Sequence, residues 1–275
     1  MFHCGSFSFD LSRPLVMGII NVTPDSFSDG GRYLSRDAAL AQARRMMDEG
    51  ADMLDIGGES TRPGSQPVSA QQEIDRVIPV IEALRDAPLP ISVDTCKPEV
   101  MRAALAAGAS MVNDITALQC AGAIETVAAS NAAVCLMHMQ GTPRTMQHEP
   151  HYDDVVAEVR DFLRERIAVV EAAGIARERI VIDPGFGFGK TLAHNLALLN
   201  RLETFTDFGV TLLAGLSRKS MLGAITGRGA DERVAASVTA AVLAAQRGAK
   251  ILRVHDVAPT VDALKVLEMT NEAGA

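Results

Sequence analysis

The sequence predicts a closed (β/α)8 barrel, a single domain over residues 1–275, and three observations point there. Short apolar runs recur eight times, a helix-like stretch follows each run, and each run exits on polar side chains. Strands that alternate with helices pair in parallel, and 275 residues suit one barrel of eight such units.

The elements follow in order. Alternation of Phe7, Phe9 and Leu11 reads as a short strand or hairpin closing the barrel bottom. Strand runs then fall at 15–20, 53–56, 91–93, 111–112, 132–137, 180–182, 210–214 and 251–254. Their exits offer Asn21, then Asp55 with Glu59, then Asp94, Asn113, His138 and Asp183. The last two offer Ser217 with Lys219, and Arg253 with His255. In a parallel barrel all these ends share one mouth, so the polar groups should converge.

Between the strands, Ser69 and Gln72 make a capping box and Pro98 suits a first helical turn. A helix is expected over 152–173, with Val155, Val159, Leu163 and Ile167 on one face and Gly174 as its stop. Two exits carry long loops rich in Gly, Pro, Ser and Asp, 21–34 and 57–68, where a barrel adds function.

Composition narrows the partners. Apolar residues make up 48% of the chain, yet no run nears the ~20 residues that a bilayer span requires. No basic start leads into an apolar signal core, so a soluble, cytoplasmic protein is expected. Cys4, Cys96, Cys120 and Cys135 lack C-x-x-C spacing and read as small hydrophobes, not disulfides or a metal cage. A net charge of −8 with dispersed Lys and Arg disfavours nucleic acid and anionic membranes as partners.

The first loop reads Asn21-Val-Thr-Pro-Asp-Ser-Phe-Ser-Asp-Gly-Gly31 and the second Asp55-Ile-Gly-Gly-Glu-Ser-Thr-Arg-Pro-Gly64. Together they closely resemble the signature loops of the dihydropteroate synthase family. The resemblance continues through Ser92-Val-Asp-Thr95, Asn113-Asp-Ile115, Asp183-Pro-Gly-Phe-Gly-Phe-Gly-Lys190, Gly215-Leu-Ser-Arg-Lys219 and Arg253-Val-His255. It therefore spans nearly the whole chain in order.

What the resemblance implies is condensation of a dihydropterin-methyl diphosphate with p-aminobenzoate, giving dihydropteroate and diphosphate. On the matching positions, Asp94, Asn113, Asp183 and Lys219 would bind the pterin, whose row of donors beside a carbonyl suits carboxylate, amide and ammonium partners. Taken singly, an Asp at a strand exit reads first as a helix N-cap; four convergent groups reverse that preference. Asp94 would either stabilise a carbocation-like transition state or only recognise the ring. Asn21, Arg253 and His255 would take the diphosphate, with Asn21 also on Mg2+, which favours oxygen ligands.

For p-aminobenzoate the resemblance points to Phe27, Thr61, Arg62, Pro63, Phe188 and Ser220. Arg62 joins Asp94 and Lys219 as a catalytic residue, acting through loop closure. A homodimer built from outer helices is also implied. His138 either lines the pocket or bonds structurally, and the structural reading is the simpler.

Rival readings are weaker. Gly185-Phe-Gly-Phe-Gly-Lys-Thr191 looks like a phosphate-cradling loop, but Pro184 stands where the P-loop needs its first Gly. A pterin-binding methyltransferase would need neither a diphosphate site nor two ring-clamping loops, and a non-catalytic pterin-binding paralogue would tolerate their erosion.

Overall fold

The computed structural model describes residues 1–23, 32–60 and 66–273, and of residues 32–35 the backbone alone. An antiparallel hairpin opens the chain, β1 (Phe2–Cys4) paired with β2 (Phe7–Phe9). Eight parallel strands then close into a barrel in chain order. They are β3 (Leu15–Asn21), β4 (Met53–Gly57), β5 (Ile91–Asp94), β6 (Met111–Asp114), β7 (Ala133–Met137), β8 (Ile180–Asp183), β9 (Thr211–Ala214) and β10 (Ile251–Val254), which pairs back onto β3.

The hairpin lies where alternation places it, though its first strand carries too short a pattern to be read from sequence. β6 and β8 run further than their apolar runs. Ladder partners Asn113 with Cys135 and Met137 with Asp183 keep the polar ends in the sheet, where a hydrophobicity pattern stops short.

Alternate residues along each strand face the barrel interior. At the bottom these are Met17, Met53, Met111, Val181, Leu213 and Ile251, which cluster with Phe2 and Cys4 of the hairpin, all fully buried. Each such side chain contributes about 1.5–3 kcal/mol by leaving water, so the hairpin works as a bottom plug. Two residues further along the same inward faces, Met53 gives way to Asp55, Met111 to Asn113, Val181 to Asp183 and Ile251 to Arg253. That change from apolar to polar within one turn of the pleat makes the upper end a mouth.

The outer ring comprises α1 (Arg32–Asp48), α2 (Ala70–Ala83), α3 (Pro98–Ala107), α4 (Ala123–Ala128), α5 (Val155–Ala172), α6 (Leu192–Asn200), α7 (Ser220–Thr226), α8 (Val234–Gln246) and α9 (Val257–Ala273). Ser69 Oγ accepts from the Gln72 N–H at 3.2 Å, completing the expected capping box of α2. Pro98 occupies the first turn of α3. The fifth helix starts three residues later than its apolar pattern suggests, because the Asp154 carboxylate accepts from Val156 N–H (2.9 Å) and Ala157 N–H (3.1 Å) and ends the extended chain there.

All four cysteines are free thiols, Cys4 and Cys135 buried. Among the described residues no helix is long and apolar enough to cross a membrane.

Candidate active site

Arg253, on the last strand, lies across the mouth. Its Nε donates to Asp55 Oδ2 at 2.6 Å and its Nη2 to Asp94 Oδ2 at 2.7 Å. Asn113 Nδ2 donates to the same Asp55 oxygen at 3.0 Å. The groups come from β10, β4, β5 and β6, so closure of the sheet, which sets β10 beside β3, brings residues 198 apart into contact. Asp55 is fully buried, and its second oxygen has no partner among the described residues, nor has the hydroxyl of buried Ser92, its neighbour across the ladder.

On the far side of the mouth, Asp183 Oδ1 accepts from the Gly185 N–H at 2.7 Å, turning the chain sharply at the end of β8. Lys219 reaches in from the start of α7: its Nζ donates to the Phe186 carbonyl and stands 4.6 Å from the centre of the Phe188 ring. The turn that aims Lys219 is built by Arg218, which adopts a φ of 58° and forks onto Asp256 at 3.0 and 2.6 Å. That ion pair ties the exit of β9 to the segment just past His255. His255 joins the same corner, its N–H and Nδ1 each 3.1 Å from Ser217 Oγ.

Burial dominates the electrostatics. It raises Asp94 to about 7, although Arg253 pulls in the opposite direction. Asp183 is likewise raised by burial and partly held down by Lys219. Lys219 itself is lowered to about 8 by burial, against the attraction of Asp183. Arg253 behaves differently: burial opposes its charge, yet Asp55 and Asp94 more than offset this and raise it. Three carboxylates and two cations therefore share one largely buried cup, with a carboxylate beside each cation.

The described structure gathers Asp94, Asn113, Asp183, Lys219 and Arg253 at one mouth, with Asn21, His255, Phe188 and Ser220 at the neighbouring strand exits. Phe188 is half-buried and Ser220 exposed at the start of α7. Phe27, Thr61, Arg62 and Pro63 lie outside the described residues. His138 is buried with its Nδ1 2.9 Å from Lys190 Nζ. Asp55 reads from the sequence as an exit residue without a binding partner, and the structure makes it the buried acceptor of Arg253 and Asn113. A carboxylate inside the apolar run 53–56 was the available signal, because an inward-facing charge in a barrel strand needs a partner.

A metal has few protein ligands to draw on. Among the described residues no group of three or more His, Cys, Asp or Glu side chains could enclose one. A methyl group added at Gly57 would meet Asp94 Cβ at 3.6 Å, Asn21 Oδ1 at 3.7 Å and Asp94 Oδ2 at 3.8 Å, and that Asp94 oxygen already accepts from Arg253. The Asn21 amide oxygen is the hard donor type that suits a magnesium ion whose remaining ligands arrive with a substrate or as water.

A barrel with this polar mouth is of the class that binds a small, hydrogen-bonding molecule at its strand ends. The model of the pterin binding enzyme family matches residues 17–255. A dihydropteroate synthase of Escherichia coli strain K12 is 54% identical over 267 residues, covering 97% of this chain and 95% of that protein. The solved dihydropteroate synthase of Xanthomonas albilineans with 4-aminobenzoic acid is 58% identical, with a TM-score of 0.90 over 95% of this chain and 94% of that one. The Burkholderia cenocepacia dihydropteroate synthase complexed with 7,8-dihydropteroate is 53% identical, with a TM-score of 0.91 over 99% of this chain and 97% of that one. The chain belongs to the pterin-binding enzymes and, among them, to the dihydropteroate synthase family.

Proposed function

We propose that the mouth condenses (7,8-dihydropterin-6-yl)methyl diphosphate with p-aminobenzoate to give 7,8-dihydropteroate and diphosphate. The observation that carries this reading is the convergence of Asp94, Asn113, Asp183 and Lys219 around one cup. Carboxylates accept from the amino-pyrimidinone edge, and the ammonium and the amide satisfy its carbonyl and ring nitrogen.

In the reaction the C–O bond to diphosphate breaks, and its electron pair leaves with the phosphate oxygen. The arylamine lone pair forms the new C–N bond, and the surplus amine proton passes to water or to the departing diphosphate. The electron-rich pterin delocalises positive charge at the methylene, and a fixed carboxylate at Asp94 stabilises that charge. Neutral arylamine needs positioning more than a strong base.

Asn21, Arg253 and His255 form the diphosphate side. Arg253 is drawn inward by Asp55 and Asp94, so an incoming anion competes with two carboxylates for it. Magnesium, when bound, would shield the charge of the leaving group, with Asn21 Oδ1 as the oxygen this chain offers. The ring of p-aminobenzoate would rest on Phe188, with Phe27 and Pro63 as further apolar walls, Thr61 and Arg62 beside it and its carboxylate near Ser220.

Measuring diphosphate release with and without p-aminobenzoate and magnesium tests the whole reading. Release that needs both is expected, and release indifferent to p-aminobenzoate would sink it.

A homodimer through the outer helices belongs to the same proposal. Leu192 and Leu196 on α6 are 39% and 42% exposed, and Ile225 on α7 is 54% exposed, an apolar face that a second copy would cover. Light scattering on the wild type and on Leu196→Glu checks it.

A further inference from the structure

The segment that follows β8 is held by an unusual concentration of side chains. The Phe186 carbonyl accepts from Lys219 Nζ, that of Gly187 from Gln147 Nε2 at 2.7 Å and that of Phe188 from Lys190 Nζ at 3.0 Å. The Gly189 carbonyl accepts from the Tyr152 hydroxyl at 2.8 Å, and that of Lys190 from Asn195 Nδ2 at 3.2 Å. Five successive carbonyls are thus claimed from five directions. Free loop carbonyls would ordinarily be left to water.

Lys190 stands out among these donors. It is 3% exposed, and its Nζ also lies 2.9 Å from His138 Nδ1 and 3.4 Å from the His138 carbonyl. An ammonium has three N–H donors, and three acceptors surround it. His138 is pushed down to about 3 by burial and by Lys190, and Lys190 is itself lowered to about 7 by burial, against the pull of Asp183; in its ammonium form Lys190 donates, and the neutral ring meets it with the Nδ1 lone pair. A stem present for packing alone would be apolar, since an unpaired ammonium is costly to bury.

The same contact sets one loop against another. His138 opens the segment after β7, and its N–H donates to the Asp183 carbonyl at 3.0 Å. Gly189 has a φ of +63°, and a methyl group there would meet the Gln140 carbonyl at 2.5 Å, so the two backbones touch without room for a side chain.

We propose that Lys190, seated on His138, is a positioning residue that fixes the Phe186–Gly189 arm and so presents the Phe188 ring to the arylamine and the Phe186 carbonyl to Lys219. The inference rests on the roles given above to Phe188 and Lys219. Lys190 touches no substrate in this scheme; it acts through the peptide plane that carries Phe188.

Because Lys190 bonds to Phe188 directly and to the Lys219 anchor only through the chain, its loss falls chiefly on the arylamine. The test uses full-length Lys190→Met, matched in length and without donors. Amide hydrogen exchange over 185–190 in the ligand-free enzyme should quicken by about tenfold or more, the change that ~1.4 kcal/mol of lost local stability gives. KM for p-aminobenzoate should rise by a similar, roughly tenfold, factor, with kcat and pterin affinity changing by less than about threefold. Tyr152→Phe removes one hydroxyl from the same arm while keeping the ring, and should move both readouts in the same direction by a smaller factor, including where Lys190→Met does not fold.

Unchanged exchange over 185–190 overturns the proposal whatever the wild type catalyses. So does faster exchange with KM unaltered and only the active fraction reduced, since that marks a purely structural lysine. Failure of the wild type to form dihydropteroate would instead count against the reading of the reaction.

Discussion

Asp55→Ala should be far more damaging than Asp55→Asn, and the contacts set both sizes. In the wild type one Asp55 oxygen takes Arg253 Nε at 2.6 Å and Asn113 Nδ2 at 3.0 Å. Alanine leaves both donors without that acceptor. Stripping one partner from a buried ion pair costs about 3–5 kcal/mol. Arg253 keeps Asp94 at 2.7 Å and is 20% exposed, which places the loss near the lower end, at about 3 kcal/mol.

Asparagine retains an oxygen for both donors and gives up only the charge. A bond to a charged group is worth about 1.5–3 kcal/mol and a neutral one about 0.5–1.5, so the expected cost is about 1–2 kcal/mol. Equilibrium urea unfolding reads both variants on one scale. If the two are equally stable, or both lie within about 0.5 kcal/mol of the wild type, as surface substitutions do, Asp55 does not hold Arg253 and the account of the mouth is wrong.

Other consequences follow from the same cup. Asp94 sits at about 7 and must be ionised to accept from the pterin, so pterin diphosphate affinity should climb as pH rises through about 7. Lys219, at about 8, must keep its proton to donate, so affinity should fall again as pH rises through about 8. Calorimetry across pH should give a bell; Asp94→Asn should lose the acid limb and Lys219→Arg should move the alkaline limb upward, and a flat wild-type profile would refute both assignments. Asp183→Asn should weaken pterin binding roughly 10- to 100-fold through loss of a charge-assisted bond worth about 1.5–3 kcal/mol, and wild-type affinity in the same titration would remove it from the pterin site.

The eight strands and their exits were legible in the chain because both faces of a parallel barrel strand are buried, which writes each strand as an apolar run, and because mouth residues interrupt that run at its end. The family could be read for a related reason. Its loops hold polar and glycine residues at spacings that packing alone does not require. The late start of α5 was not legible, since an apolar stripe continues through Tyr152 while a single Asp154 decides the end.

Partnership was the part that sequence left open. Nothing local says that Arg253 turns inward to Asp55 and Asp94 instead of outward to an anion, because those partners lie 198 and 159 residues away and meet only when the sheet closes. Lys190 likewise reads as the tail of a glycine motif until burial sets it against His138, 52 positions earlier. Local pattern determines which residues stand at strand ends, being a matter of period and polarity; which charge answers which is decided by the closed barrel, where desolvation makes every unpaired group costly.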